Sequence, residues 1–197
     1  LKLFIHSGAI NSYNKSRDIP SLESTSNLSA ALSLGTISCR SLWNAAQLSK
    51  NIATERHQFN SIDTWIKELA WREFYQNALI NFPELEKGPY RKKWLNFPWQ
   101  NRSDWFKSWG NGFTGFPIID AAMRQLKYSG WMHNRCRMIV ASFLVKDLLI
   151  DWRWGEKFFM RNLVDGDLAS NNGGWQWSAS SGMDPKPMRI FNPFRQA

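Results

Sequence analysis

The sequence has little cysteine and no long apolar run. It also lacks the sustained alternation of apolar and polar residues that predicts β-strands. Its 197 residues contain two cysteines, Cys39 and Cys136, which excludes a disulfide scaffold and favours a reducing compartment. The cysteines and the three histidines are scattered without zinc-ligand spacing, so we predict no metal site. The longest apolar stretch, residues 138–150, contains Lys146 and Asp147 and is shorter than the roughly 18 apolar residues that a membrane-spanning helix needs. We therefore expect a cytoplasmic protein with no membrane partner.

Features of a secretory leader are also missing. No charged start, apolar segment and small-residue cleavage site follow one another. The chain begins at Leu1 rather than at methionine and stops at Ala197 without a clear final element. We expect a piece of a longer chain, with one domain over residues 1–197 that is large enough to bury a core.

Basic residues and tryptophan are abundant. The 25 Lys and Arg exceed the 16 Asp and Glu, which gives a net charge of +9. A polyanionic partner, nucleic acid before an anionic membrane surface, is one explanation, and a protein that is merely basic is the other. The 12 tryptophans could form a core, stack on sugars or bases, or carry electrons, and their spacing does not decide.

Hydrophobic periodicity predicts an all-α fold. Helical patterns cover residues 4–12, 36–50, 62–80, 118–128, 132–150 and 152–163. Pro117 can open the fourth of these helices, and Gly130 ends it. Irregular structure is predicted for residues 81–117, a polar glycine-rich turn for residues 165–175, and an extended tail around Pro185, Pro187 and Pro193.

A run of small hydroxyl and amide side chains, Thr25 to Ser29, precedes the apolar residues 30–34 and has the chemistry of a helix start. Such a place suits a phosphate, because unpaired N–H donors and the helix dipole both favour an anion. An ordinary Ser/Thr cap is the alternative.

Glu68 and Arg72 lie four residues apart on one face of the predicted helix 62–80. They could form an intrahelical ion pair. With Trp65 and Trp71 nearby, they could instead be a polar pair within an aromatic site.

Two carboxylates follow the last predicted helix, in Asp165-Gly166-Asp167. A calcium loop is excluded, because its sixth and twelfth positions hold Ser170 and Gln176 instead of Gly and Glu. A turn with local side-chain hydrogen bonds and a pair of carboxylates directed at a nucleotide cofactor both remain open.

Asn134, Arg137 and Met138 share one face of the predicted helix 132–150. If Arg137 is buried, it needs a carboxylate partner, for which Asp165 and Asp167 are the candidates; otherwise it faces solvent.

Together these motifs resemble the photolyase/cryptochrome flavoproteins. The segments that carry the resemblance are WIKELAWREFY (65–75), TGFPIIDAAMR (114–124), GWMHNRCRM (130–138) and DGDLASNNGGWQW (165–177). The likeness runs from about Tyr13 to Phe194 and points to the C-terminal helical domain of class I cyclobutane pyrimidine dimer photolyases. It implies an all-α FAD-binding domain without the family's N-terminal α/β antenna domain, so the antenna chromophore stays unknown.

The resemblance implies FAD as the cofactor, reduced in the active state. The implied cofactor-binding residues are Tyr13, Thr25, Ser26, Asn27, Leu28, Ser29, Trp65, Glu68, Arg72, Asn134, Arg137, Asp165, Gly166, Asp167 and Asn171. Tyr13 and residues 25–29 match contacts to the pyrophosphate and sugar, although Asn27 stands where close relatives carry a basic residue. Arg137 is expected to pair with Asp165, and Asn171 matches the residue that faces flavin N5.

The resemblance also implies a mechanism. Excited reduced FAD would give an electron to a flipped-out pyrimidine dimer, whose ring splits before the electron returns. Glu68 would hydrogen-bond to the dimer and stabilise its extra electron. The implied catalytic residues are Glu68, Asn134, Asn171 and an electron-transfer chain of Trp99, Trp152 and Trp175. The implied DNA-binding residues are Glu68, Trp71, Arg72, Asn134, Arg135, Met138 and Trp177.

The function implied is that of a carbon–carbon lyase acting as a monomer on UV-damaged DNA. A cryptochrome-type blue-light photoreceptor without repair is the alternative, but Asn171, Asn134 and Met138 fit repair enzymes better. Pyrimidine–pyrimidone photolyases usually have a second His after the position of His133, where this chain has Asn134. A noncatalytic, basic binder of nucleic acid or sugar would have no yellow cofactor and no dependence on light.

Overall fold

The computed structural model describes residues 1–184 and 188–196. These residues form helices and no strand, which confirms the all-α prediction. The chain divides into two compact units, Leu1–Phe74 and Tyr75–Ala197, and each is described by itself. The expectation of one domain stays a prediction.

The first unit begins with two short helices, α1 (Lys2–His6) and α2 (Ala9–Ser16). The prediction of one helix over residues 4–12 is wrong, because Gly8 between them has φ 77°, a left-handed conformation that glycine adopts without steric cost. Phe4, Ile10 and Tyr13 face inward from these helices.

Three more helices belong wholly or partly to this unit: α3 (Ser29–Ser33), α4 (Cys39–Ile52) and α5 (Arg56–Asn81). Ser38 caps α4 by accepting a hydrogen bond from the backbone N–H of Ser41, at 3.1 Å. The inward side chains form the core of the unit with those of α1 and α2; they are Leu42, Ala46, Ile62, Trp65, Ile66 and Leu69.

The second unit contains a helix that the sequence did not indicate. After two 3₁₀ turns (Pro83–Glu86 and Lys92–Trp94) comes α6 (Ser103–Asn111), within a stretch predicted to be irregular. The flanking prolines and glycines hid this nine-residue helix, whose Trp109 is fully buried. Helix α7 (Pro117–Ser129) matches its prediction, with Pro117 in the first turn and Gly130 left-handed at its end.

The predicted helix 132–150 is interrupted. It begins as α8 (Asn134–Ser142), changes to a π-helical turn at Phe143–Asp147, and ends before Leu149, whose φ is 50°. Each backbone hydrogen bond of a π-helical turn spans one residue more than a hydrogen bond of an α-helix. Helix α9 (Trp152–Asn162) follows, capped by the Asp151 carboxylate, and matches its prediction.

The glycine-rich stretch after Asp165 is only partly a turn. Asp167 accepts a hydrogen bond from the backbone N–H of Ser170 at 2.8 Å and so caps α10 (Leu168–Ser178). The helix tolerates Gly173 and Gly174 because its packing outweighs their low helical propensity, with Gly173 lying directly against the Tyr75 ring.

The tail ends in a short helix, α11 (Pro193–Gln196), which corrects the extended conformation predicted at Pro193. Pro185 and Pro187 lie outside the described residues. The core of the second unit lies among α6 to α10; its fully buried side chains include Trp109, Ile119, Met132 and Leu144.

Candidate active site

Glu68, on α5, accepts a hydrogen bond from Arg17 rather than from Arg72. The Arg17 guanidinium also lies over the Tyr13 ring, 5.4 Å from its centre. Arg72 Nη1 lies 3.6 Å from Glu73 Oε1. The prediction of an intrahelical ion pair between Glu68 and Arg72 is therefore wrong. Arg17 is the residue of this cluster that we did not identify from sequence, although its position one helical turn after Tyr13 was visible.

The environment keeps Tyr13 and Arg17, the two neighbours of Glu68, protonated. Burial, and after it the negative charge of Glu68, raises the pKa of Tyr13 to about 12. Burial alone would lower the pKa of Arg17, but the nearby Glu68 carboxylate raises it above its ordinary value. Glu68 is therefore held beside a permanent positive charge and a neutral phenol.

The two tryptophans predicted beside Glu68 have different surroundings. Trp65 is buried in the core of the first unit, with its ring 5.5 Å from that of Phe4. Trp71 is half exposed, and its ring meets the Phe74 ring edge-on, with 5.5 Å between the ring centres. The predicted DNA contact of Trp71 and the predicted cofactor contact of Trp65 both stay predictions.

The predicted phosphate loop lies directly before α3. Thr25 Oγ1 donates to Asn27 Oδ1 at 3.1 Å, and Asn27 has φ 51°, a left-handed conformation that asparagine tolerates. The helix start is confirmed, but Leu28 is the N-cap residue and no described side chain caps the helix, so the alternative of a Ser/Thr cap is wrong. The predicted contacts of Tyr13, Thr25, Ser26, Leu28 and Ser29 with FAD stay predictions.

In the second unit, Arg137 and Asp165 form the predicted ion pair. Arg137 Nη2 lies 2.7 Å from Asp165 Oδ2, and Arg137 Nε donates to the backbone oxygen of Met132 at 2.8 Å. The pairing is confirmed, and Arg137 does not simply face solvent. The Asp165 side chain is 1% exposed, which makes this one of the most enclosed charges in the unit.

The other oxygen of that carboxyl, Asp165 Oδ1, is buried and has no hydrogen-bond partner among the described atoms. A buried acceptor without a donor costs about 1–3 kcal/mol, and more when it is charged. An N–H group from a bound ring would remove this cost. This geometry fits a nucleotide cofactor. The two carboxylates on either side of Gly166 therefore have different roles: Asp165 is available to a ligand, and Asp167 caps a helix.

Of the residues predicted to face the lesion, Asn134 is exposed, whereas Met138 and Trp177 are half-buried. Asn134 Nδ2 lies 3.8 Å from Met138 Sδ, which confirms their shared face on α8. The Arg189 guanidinium is 5.7 Å from the centre of the Trp177 ring. Arg189 was not among the predicted residues, because it follows the last sequence motif. Its partner Trp177, which lies within that motif, was the only feature of the sequence that could have pointed to it.

The three predicted electron carriers lie in adjacent segments. The Trp175 ring packs on Gly155, one turn after Trp152 on α9. Next to Trp99, the backbone N–H of Gln100 donates to Leu149 O at 2.8 Å, and Asn101 Oδ1 accepts from the N–H of Asp151 at 2.9 Å. These two hydrogen bonds hold residues 99–101 against residues 149–152. The transfer of an electron along them stays a prediction.

Neither a metal cluster nor a membrane span emerges from the structure. Within residues 1–184 and 188–196, no three His, Cys, Asp or Glu side chains are grouped so that they could hold a metal ion. None of the helices in the same ranges is long and apolar enough to cross a membrane.

Comparisons with known proteins agree with this geometry. Residues 65–197 match the family described as the FAD binding domain of DNA photolyase. A deoxyribodipyrimidine photo-lyase of Synechococcus sp. is 61% identical over 189 residues, which are 96% of this chain and 39% of that protein. The chain thus spans about two fifths of the length of the curated relatives that it matches.

Solved structures show the same likeness. A bacterial class III photolyase from Agrobacterium tumefaciens is 49% identical, with a TM-score of 0.91 over 98% of this chain and 39% of its own. A cryptochrome from Synechocystis sp. is 34% identical, with a TM-score of 0.88 over 98% of this chain and 40% of its own.

Proposed function

This chain belongs to the family of FAD-binding domains of DNA photolyases, and we propose that it serves the light-driven repair of cyclobutane pyrimidine dimers in DNA. The observation that carries the proposal is the buried Asp165 carboxyl, which is paired with Arg137 through one oxygen and has no partner at the other. The names of relatives between 49% and 61% identical, all deoxyribodipyrimidine photo-lyases, support it.

When bound, reduced FAD supplies the excited electron that opens the cyclobutane ring and takes it back afterwards. Asp165 Oδ1 would accept a ring N–H of the cofactor, and Arg137 holds the carboxylate in place through Oδ2. Asn171 presents a neutral amide to the flavin.

The chain's other residues act on the DNA. The resemblance assigns contacts with the flipped dimer to Trp71, Asn134, Met138 and Trp177, and Glu68 would hydrogen-bond to it. Arg17 lies beside Glu68 and offsets negative charge that develops on the dimer. Arg135 and Arg189 bind phosphates of the DNA backbone, which holds the lesion in register.

Trp99, Trp152 and Trp175 have a separate role, which is to reduce the cofactor before repair begins. An electron would pass inward from Trp99, which is partly accessible, to Trp152 and Trp175, which are buried. A reductant in solution, such as a thiol, would then return an electron to the oxidised Trp99. Indole is easily oxidised, so that neighbouring rings can relay an electron without a metal.

Asp165→Asn provides the test. An amide cannot supply the same charged acceptor to the ring N–H, and it leaves Arg137 unpaired, so we expect FAD binding to weaken roughly 10- to 100-fold. Asp104→Asn is the matched control, because Asp104 is an exposed carboxylate paired with Arg102. The dissociation constants are measured by the visible absorbance of the chain titrated with FAD.

The loaded chain is then illuminated with an oligonucleotide that contains thymine dimers. Light-dependent loss of the dimers supports repair. FAD binding without repair favours the alternative, a blue-light photoreceptor. Equal FAD affinity in Asp165→Asn and the unsubstituted chain would contradict the assignment of Asp165.

A further inference from the structure

Glu156 is a buried carboxyl group that the proposed repair reaction does not use. It lies on α9 and is 5% exposed. Its backbone oxygen accepts a hydrogen bond from Asn171 Nδ2 at 3.0 Å, and its carboxyl Oε1 accepts one from Asn172 Nδ2 at 3.1 Å. One residue of α9 therefore binds the side chains of two consecutive residues in the first half of α10.

The second of these amides belongs to a larger buried network. Asn172 Nδ2 also donates to Leu85 O at 2.9 Å, and Asn172 Oδ1 accepts from Gln176 Nε2 at 2.9 Å. Gln176 Nε2 also lies 3.2 Å from Leu85 O, and Gln176 Oε1 accepts from the backbone N–H of Tyr90 at 2.8 Å. Helix α10 is thus fixed by side-chain hydrogen bonds to α9 and to residues 85–90.

This arrangement determines which atom Asn171 offers to a ligand. Its amide nitrogen is bound to the Glu156 carbonyl, so Oδ1 is the atom directed elsewhere, as a hydrogen-bond acceptor. A shift or rotation of α10 would break the 3.0 Å bond and free the amide to turn over. The carboxyl of Glu156 opposes that shift by holding Asn172.

We propose that Glu156 is a positioning residue, which holds Asn171 with its amide oxygen toward the flavin and thereby stabilises the reduced form of bound FAD. This inference rests on the proposed function. An acceptor at a flavin nitrogen favours the form that carries a proton there, so loss of the anchor disfavours reduction.

The chemistry of Glu156 suggests a conservative substitution. Burial raises the pKa of its carboxyl, against the hydrogen bond from Asn172, which lowers it; Lys157 beside it and Glu86 across from it have opposite and smaller effects. Glutamate and glutamine have similar size, and both offer Oε1 as an acceptor. Glu156→Gln therefore keeps the anchor, whereas Glu156→Leu fills the space and removes it.

The experiment measures the reduction potential of FAD bound to the full chain, by titration against redox dyes. We expect Glu156→Leu to lower the ratio of reduced to oxidised FAD at a fixed potential about tenfold, which is about 30 mV for a two-electron couple. Glu156→Gln should keep the ratio of the unsubstituted chain. Glu84→Leu is the matched control, because Glu84 is an exposed glutamate in the 3₁₀ turn at Pro83–Glu86.

Each outcome decides for or against the inference. An unchanged potential in Glu156→Leu with normal FAD affinity overturns it and leaves the proposed function intact, whereas failure of the unsubstituted chain to bind FAD overturns both. An equal shift in Glu156→Gln also overturns it, because the effect would then come from charge. If Glu156→Leu does not fold, Asn172→Ser, which withdraws the donor, is measured in its place; a shift supports the inference, and an unchanged potential overturns it.

Discussion

The contacts of Arg17 show how one side chain can define the chemistry of its neighbours. Its guanidinium bonds to Glu68 and covers the Tyr13 ring. A fixed cation at this position means that Glu68 needs no distant partner for its charge. Burial and the negative charge of Glu68, acting against the cation, keep Tyr13 protonated over the whole physiological range.

Tyr13 should titrate well above the ordinary range of a tyrosine. Its pKa is about 12 in the folded chain and 10.0 in the unfolded one, so the folded state retains the proton between these values. The stabilisation is fully present below pH 10 and is lost as pH rises through about 12, a change on the order of 3 kcal/mol. The absorbance of tyrosinate during an alkaline titration should show a late component.

Tyr13→Phe should abolish that late component and flatten the loss of stability above pH 10. Tyr128→Phe is the control, because Tyr128 is almost fully exposed. A late component that survives in Tyr13→Phe would show that another tyrosine is the buried one.

At the level of helices, the sequence predicts those with clear periodicity and caps. Helix α7 was predictable to within a residue at each end, because Pro117 and Gly130 mark its limits. Helix α10 was not, because two adjacent glycines disfavour a helix and only tertiary packing compensates for them. The break at residues 143–147 left no local signal, since the apolar pattern continues through it.

The contact between α9 and α10 depends on a glycine. A Cβ at Gly155 would collide with the Trp175 ring, so Gly155→Ala should destabilise the chain by roughly 1–3 kcal/mol. Gly174→Ala is the control: a Cβ there meets nothing within 4 Å, and alanine should stabilise α10 by about 0.5–1 kcal/mol. Urea denaturation measures both, and equal destabilisation by the two substitutions would contradict the packing argument.

The site was only partly predictable for a similar reason. The pairing of Arg137 with Asp165 followed from the resemblance, which names both residues. The contact of Arg17 with Glu68 joins residues 51 positions apart, and no periodicity reports such a distance. The Glu156 network is equally non-local, since it joins residues separated by 16 positions in one bond and by 87 in another.

For the whole molecule, the net charge of +9 predicts a strong dependence of DNA affinity on salt. Each phosphate contact that is removed should lower the slope of log K against log salt concentration by about 1. We expect this reduction in Arg135→Gln and in Arg189→Gln, measured by fluorescence anisotropy with a damaged oligonucleotide. Lys2→Gln, at the exposed start of α1, should leave the slope unchanged, and a loss as large as that in the other variants would indicate a general effect of charge.

The π turn at Phe143–Asp147 acts as a spacer in the chain. One residue corresponds to about 100° of helical rotation, so deleting a residue here would restore a regular α-helix and rotate everything that follows. The Leu149 carbonyl would then lose its hydrogen bond from the Gln100 N–H, and the segment that carries Trp152 would shift relative to the segment that carries Trp99. Because electron tunnelling falls exponentially with separation, a single inserted residue in this helix would control the speed of the proposed photoreduction.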